Sequence, residues 1–209
     1  MDDKQYSRVI TQEKRVTDRA LKEMRGNDLL QIGGLGHPNF AEHACVTRQF
    51  FLDKDLTQGV TPFIQAQSDC LPIQSEAMDI VLLVHQLETA KNVMDILTEA
   101  YRVLRPNGQL IIVGFNRWSL YHFLYHQKNF HSMAKIKRLL YQLNFEITWH
   151  QTFYFCTPFL FLETLGQLLL PYAGAAFVMV ATKSNVGEIP SAANHWEKKF
   201  TTNESLICP

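Results

Sequence analysis

The chain has 209 residues, with 20 Lys and Arg against 20 Asp and Glu, so its formal net charge is +0; 46% of its residues are hydrophobic. This composition excludes a disordered chain and suits one folded domain able to bury a core. Neutral balance argues against a dedicated nucleic-acid binder, which would be basic overall.

The cysteines are Cys45, Cys70, Cys156 and Cys208. They form no CxxC pair and no zinc-module spacing, which points to free thiols in a reducing compartment. The N-terminal stretch MDDKQYSRVITQEKRVTDRA is charged throughout and lacks the apolar core of a secretory signal, so the expected location is the cytoplasm.

In chain order, residues 11–25 read as a charged amphipathic helix with Val16, Ala20 and Met24 on one face, stopped at Gly26-Asn27. Leu29-Leu30-Gln31-Ile32 is a short strand running into the turn Gly33-Gly34-Leu35-Gly36. A second strand is expected at 46–52, ending at Asp53, and a third at 61–67, ahead of Asp69. DIVLLV, residues 79–84, is a continuous apolar run, the pattern of a parallel strand covered on both faces. Residues 90–104 carry Val93, Ile96, Leu97, Ala100 and Leu104 at helical spacing. Pro106-Asn107-Gly108 is a turn, and 110–115 is another buried strand. A helix at 132–143, a strand at 145–155 and a last strand at 175–182 follow. Residues 116–131 read as an insertion and 184–209 as a loose tail, leaving 1–183 as a single domain behind an N-terminal helix in 1–27.

Strands alternating with helices predict an α/β fold with a parallel sheet, whose ligands bind at the carboxyl ends of the strands. Three signals converge on that edge. The glycine turn lets a ligand approach the backbone, and a helix start beyond it offers N–H donors. Asp53, 17 residues after Gly36, stands where a carboxylate can accept both hydroxyls of a ribose. Asp69 stands where one can accept from an adenine amino group.

The order of these signals carries a family pattern. Ser68-Asp69-Cys70-Leu71-Pro72-Ile73 precedes Ser75-Glu76-Ala77-Met78-Asp79-Ile80-Val81; His85-Gln86-Leu87-Glu88 and Glu99-Ala100-Tyr101-Arg102-Val103-Leu104-Arg105-Pro106-Asn107-Gly108 follow. Over residues 29–115 the chain resembles the class I S-adenosylmethionine-dependent methyltransferases, in the small-molecule branch that includes enzymes of quinone and biotin biosynthesis. The resemblance implies a Rossmann-like, seven-stranded, mostly parallel sheet of order 3-2-1-4-5-7-6 with its last strand antiparallel. It implies S-adenosylmethionine as cofactor and methyl transfer to a small aromatic or apolar acceptor. By position it places Gln31, Gly33, Gly34 and Gly36 at the methionine moiety, Asp53 at the ribose, and Asp69 with Cys70 at the adenine. Val84 and His85 fall beside the sulfonium. His85 is the candidate for orienting or deprotonating an acceptor, because its ordinary pKa lies near neutral; the alternative is a ring bonded elsewhere, with only the backbone lining the site. Asn116, Trp118 and Tyr121 fall where the family builds its acceptor pocket.

Gly114-Phe115-Asn116-Arg117-Trp118-Ser119-Leu120 resembles a bacterial subgroup of that branch. The family turn reads acid-x-Gly-x-Gly-x-Gly, whereas Gln31, Gly33, Leu35 and His37 occupy those positions here. A catalytically inactive homologue serving as a binding or scaffold module is therefore the alternative. A nicotinamide-dependent oxidoreductase is a third reading, on a half match of Gly34-x-Gly36-x-x-Asn39 to GxGxxG. His122 and His126 share a helical face, but without an intervening Glu they read as packing or substrate-facing residues rather than metal ligands. Residues 153–181 are strongly apolar but interrupted by Pro158, Gly166 and Pro171, so they predict no transmembrane span. They read as core, or else as a greasy lid or a peripheral membrane-touching face.

Overall fold

The computed structural model describes residues 3–34, 39–54, 63–116, 131–153 and 176–184. The chain opens with helix α1 (Asp3–Glu23) and continues through β1 (Gly26–Ile32), β2 (Val46–Asp53), β3 (Phe63–Gln65) and β4 (Met78–Val84). Helices α2 (Gln86–Thr89) and α3 (Val93–Val103) lead to β5 (Leu104–Phe115), followed by α4 (Met133–Gln142), β6 (Phe145–Phe153) and β7 (Ala176–Lys183). The strands form one seven-stranded sheet of order β3-β2-β1-β4-β5-β7-β6. β1 to β5 pair in parallel, and β7 runs antiparallel to both β5 and β6. This is the topology the family resemblance implies.

The sheet is built around β4. Ile80 to Val84 are each no more than 1% exposed, because helices cover both faces. Period-2 alternation sends Val81 and Leu83 toward α2, α3 and α4, where they meet Leu87, Leu97, Ala100 and Ile136 in one core cluster. Ile80, Leu82 and Val84 point the other way, into a cluster with Ile10, Ala20 and Leu21 of α1 and with Met24 just after it. Each fully buried aliphatic side chain stabilises the fold by roughly 1.5–3 kcal/mol, so β4 anchors both layers.

The amino ends of the strands are locked by ions. Arg48 on β2 pairs with Asp28 on β1 through two N–H donors. Arg105 on β5 donates to Asp28 at 3.1 Å and to Asp79 at 2.6 Å. The second oxygen of Asp79 accepts the backbone N–H groups of Asn27 and Asp28 at 2.7 and 3.0 Å. Burial pushes the Asp79 carboxyl up, but Arg105 and the two backbone donors outweigh it and hold the group below the ordinary range. The Arg48 hydrogen bond, with Arg105 behind it, lowers Asp28 likewise against its burial.

Several boundaries differ from the sequence reading. α1 begins at Asp3 rather than residue 11, since nothing before Gly26 breaks a helix. The helix expected at 90–104 is α3, Val93–Val103, and a short α2 at Gln86–Thr89 precedes it; Asn92 caps α3 by accepting the Met94 N–H. Pro106-Asn107-Gly108 is indeed a turn but lies inside β5: Met78 pairs with Leu104 and Ile80 with Gln109, so the extra residues bulge outward, with Asn107 at φ 63°. The third strand shrinks to Phe63–Gln65. The expected insertion at 117–130, most of the apolar stretch 154–175 with its proposed lid, His122, His126, Cys156 and the tail from 185 lie outside the described residues.

Asp79→Ala should lower stability by about 2–3 kcal/mol, because two backbone donors and Arg105 lose their acceptor. A urea titration checks this. A carboxyl with a depressed folded pKa contributes fully above its unfolded value of about 3.9, so the gap from wild type should be complete at neutral pH and shrink as the pH falls below that value.

Candidate active site

A cavity of about 680 Å³ opens at the carboxyl edge of the sheet, lined among others by Gly34, Asp53, Asp69, Val84, His85 and Glu88. That volume suits a small-molecule or cofactor site, and the edge is where open α/β sheets bind ligands.

The floor comes from the end of β1. Gly33 and Gly34 both hold positive φ, 77° and 72°, a conformation that disfavours any side chain. A Cβ on Gly33 would lie 2.7 Å from the Val84 carbonyl oxygen, and one on Gly34 would lie 2.7 Å from Val84 Cγ1. The Gly33 N–H is tied to the Leu52 carbonyl at 2.8 Å. Gln31 is fully buried beneath the turn; its Nε2 donates to the Gly33 carbonyl at 3.1 Å, while its Oε1 has no partner among the described residues. The amide thus shapes the turn and keeps one acceptor in reserve. Gly36 and Leu35 lie outside the described residues.

Asp53 ends β2 and is half-buried; its Oδ1 accepts the Lys54 N–H at 2.8 Å. Asp69 is exposed at the rim, and Cys70 beside it is an exposed free thiol. Their loop is clamped from below. Arg102 on α3 donates to the carbonyls of Leu71 and Ile73 at 3.0 and 2.8 Å and pairs with Glu99, which accepts the Leu71 N–H at 2.9 Å. The Glu99-Ala100-Tyr101-Arg102 stretch thereby acts on the site from a distance, by fixing the loop that carries Asp69.

His85 caps β4 in the left-handed region, φ 52° and ψ 25°. That turn breaks the strand's alternation: Val84 packs in the α1-side core, and the His85 ring also reaches α1. Nε2 lies 3.1 Å from Oε2 of Glu13, and Nδ1 lies 3.4 Å from Oε1 of Glu88. The ring stacks on Phe115 with centroids 4.5 Å apart. Burial alone would lower the pKa of this ring, but the Glu13 and Glu88 carboxylates overcome it and raise it to about 10. His85 is therefore an imidazolium at neutral pH, with both nitrogens facing carboxylates. A ring in that state donates from both nitrogens.

Sequence reasoning missed Glu13, whose side chain is fully buried. The signal was present, because Ile10, Glu13, Thr17, Ala20 and Met24 follow helical spacing and all are buried. Glu88 also had no assigned role. Its Oε1 accepts the Phe115 N–H at 2.6 Å, tying the end of β5 to α2. Gly114 leaves room for it, since a Cβ there would lie 2.9 Å from Glu88 Oε1. Oε1 of Glu13 and Oε2 of Glu88 are buried without partners among the described residues. Asn116 is buried at 1% exposure and bridges to His131, whose ring meets the Leu87 carbonyl at 3.1 Å. Trp118 and Tyr121 lie outside the described residues.

Comparison with known proteins agrees with this geometry. Residues 41–112 match the methyltransferase domain family. A methyltransferase of known structure from Archaeoglobus fulgidus, described as SAM-dependent, superposes with a TM-score of 0.67 at 15% identity, covering 83% of this chain and 94% of that one. The chain shares the fold of that methyltransferase. It is 35% identical over 94 residues to the uncharacterized protein YafS of Escherichia coli K12, a match covering 45% of this chain and 38% of that protein. It is 30% identical over 82 residues to the ubiquinone/menaquinone biosynthesis C-methyltransferase UbiE of Blochmanniella pennsylvanica, covering 38% of this chain and 32% of that enzyme. Each match thus spans well under half of the relative's length. Among the described residues no helix is long and apolar enough to cross a membrane.

A His raised well above its unfolded value stabilises fully below about pH 6.5 and loses that contribution as pH rises through about 10. The melting temperature of the wild type should therefore fall more steeply between pH 7 and pH 10 than that of His85→Gln, as differential scanning calorimetry can check.

Proposed function

We propose that the chain is an S-adenosylmethionine-dependent methyltransferase acting on a small aromatic or apolar acceptor. The observation that carries this reading is the cavity itself. A glycine cradle that any Cβ would fill, a carboxylate at the end of β2 and another on the clamped loop before β4 surround one space at the carboxyl edge. The residues fit the cofactor. The bare backbone at Gly33 and Gly34 admits its amino-acid end, where the unpartnered Oε1 of Gln31 accepts from its ammonium. Asp53 accepts from the ribose hydroxyls, and Asp69 with Cys70 borders the adenine.

When bound, the cofactor supplies an electrophilic methyl group on a sulfonium. The protein has three tasks: to hold the donor, to align the acceptor and to keep water out. Val84, His85 and Phe115 form the wall between donor and acceptor, and Asn116 borders the acceptor side. Because His85 is already protonated, it serves as a fixed cation-bearing wall rather than a base. An acceptor that needs no strong base, such as one already acidic or one with a free nitrogen lone pair, suits this arrangement.

Titration calorimetry with S-adenosylhomocysteine tests the reading. Binding is expected, and Asp53→Ala should weaken it by about 1–3 kcal/mol, the usual cost of unpaired polar groups. Gly34→Ala should abolish it, since the new Cβ meets Val84 at a positive φ. No binding to a folded wild type at millimolar ligand would favour the scaffold alternative.

A further inference from the structure

We propose that the buried Glu13–His85–Glu88 cluster is a charge selector, favouring a cationic methyl donor over its neutral product. The inference rests on the methyl-transfer reading above, but its argument comes from the geometry of the cluster.

The count of charge is simple. Two carboxylates bracket one ring, Glu13 at 3.1 Å from Nε2 and Glu88 at 3.4 Å from Nδ1. A ring that serves both acceptors donates from both nitrogens and carries one positive charge. The cluster therefore keeps one net negative charge. Among the described residues no second cation pairs with it, and Oε1 of Glu13 and Oε2 of Glu88 are buried without a hydrogen-bond partner. The Phe115 N–H on Glu88 contributes a dipole, not a charge.

Position gives that charge its reach. The Glu13 side chain is sealed under α1 at 0% exposure, and those of Glu88 and His85 are only 12% and 19% exposed. Charges in such a site are poorly screened. Among the described residues, the other ionic groups on the cavity wall are Asp53, Lys54, Asp69 and Lys91, two of each sign; all but the half-buried Asp53 are exposed. They cancel to first order, and solvent damps what remains. The buried cluster sets the potential at the end of β4.

Donor and product differ by one methyl cation. In the transfer, the carbon–sulfur bond breaks with its electron pair left on sulfur, and a lone pair of the acceptor forms the new bond. The donor becomes a neutral thioether. Any proton displaced from the acceptor atom leaves to solvent. A wall with one net negative charge attracts the ligand before this step and loses that attraction after it, which assists product exchange.

The test is the ratio of dissociation constants for S-adenosylhomocysteine and S-adenosylmethionine, measured by calorimetry without acceptor. Glu13→Gln and Glu88→Gln each remove the net charge from a different element, so loss of fold in one leaves the other to read. Each should shift the ratio toward the neutral ligand by roughly three- to thirty-fold. His85→Gln removes the positive charge and should shift it the opposite way. Equal changes for both ligands, leaving the ratio within about twofold in every variant that melts cooperatively, would overturn the proposal while leaving the methyltransferase reading intact. If neither ligand binds the wild type, that reading fails and the selector falls with it.

Discussion

The imidazolium of His85, held between the carboxylates of Glu13 and Glu88, joins three elements that would otherwise meet only through apolar contact. Glu13 brings α1, His85 ends β4, and Glu88 carries α2 and fastens the end of β5 through the Phe115 N–H. Removing the ring would leave two buried carboxylates without their cation, which costs far more than an intact pair contributes. The left-handed backbone at His85 belongs to the same constraint. It departs from the ordinary geometry of a strand end, and it is what brings the ring across to α1.

The sheet divides its labour between its two ends. At the amino ends, Asp28, Arg48, Asp79 and Arg105 tie β1, β2, β4 and β5 into register, with every carboxylate oxygen bonded. At the carboxyl ends, three buried acceptors have no partner among the described residues: Oε1 of Gln31, Oε1 of Glu13 and Oε2 of Glu88. Satisfied polar groups fix a structure, while unsatisfied buried ones cost stability and mark places where a ligand completes the pattern. The Arg102–Glu99 clamp belongs to the first kind but serves the second, since it presets the loop bearing Asp69 before any ligand arrives.

Much of this was legible from the residues. The apolar run of β4 predicted a central parallel strand, and it is buried on both faces. Gly33 and Gly34 predicted a close backbone approach, and both hold conformations only glycine takes easily. What escaped depended on long-range contact. Asp53, Asp69 and His85 could be placed on one edge from strand ends alone, but the charge state of His85 depends on Glu13, 72 positions earlier in the chain. A carboxylate on the apolar stripe of α1 is a visible anomaly, yet spacing cannot name its partner. Asp79 shows the same limit: it reads as the polar start of a strand, and only the register brings Arg105 to it.

The measurement that bears most directly on this account is the protonation state of the His85 ring, read from ¹⁵N chemical shifts in histidine-labelled protein and assigned with His85→Gln. Both ring nitrogens should carry the signature of an imidazolium at pH 8, with the transition to a neutral ring only as the pH approaches about 10. A neutral tautomer at pH 7 would contradict the account, since it would dissolve the link from α1 to β4 and α2 and free the ring to act as a base.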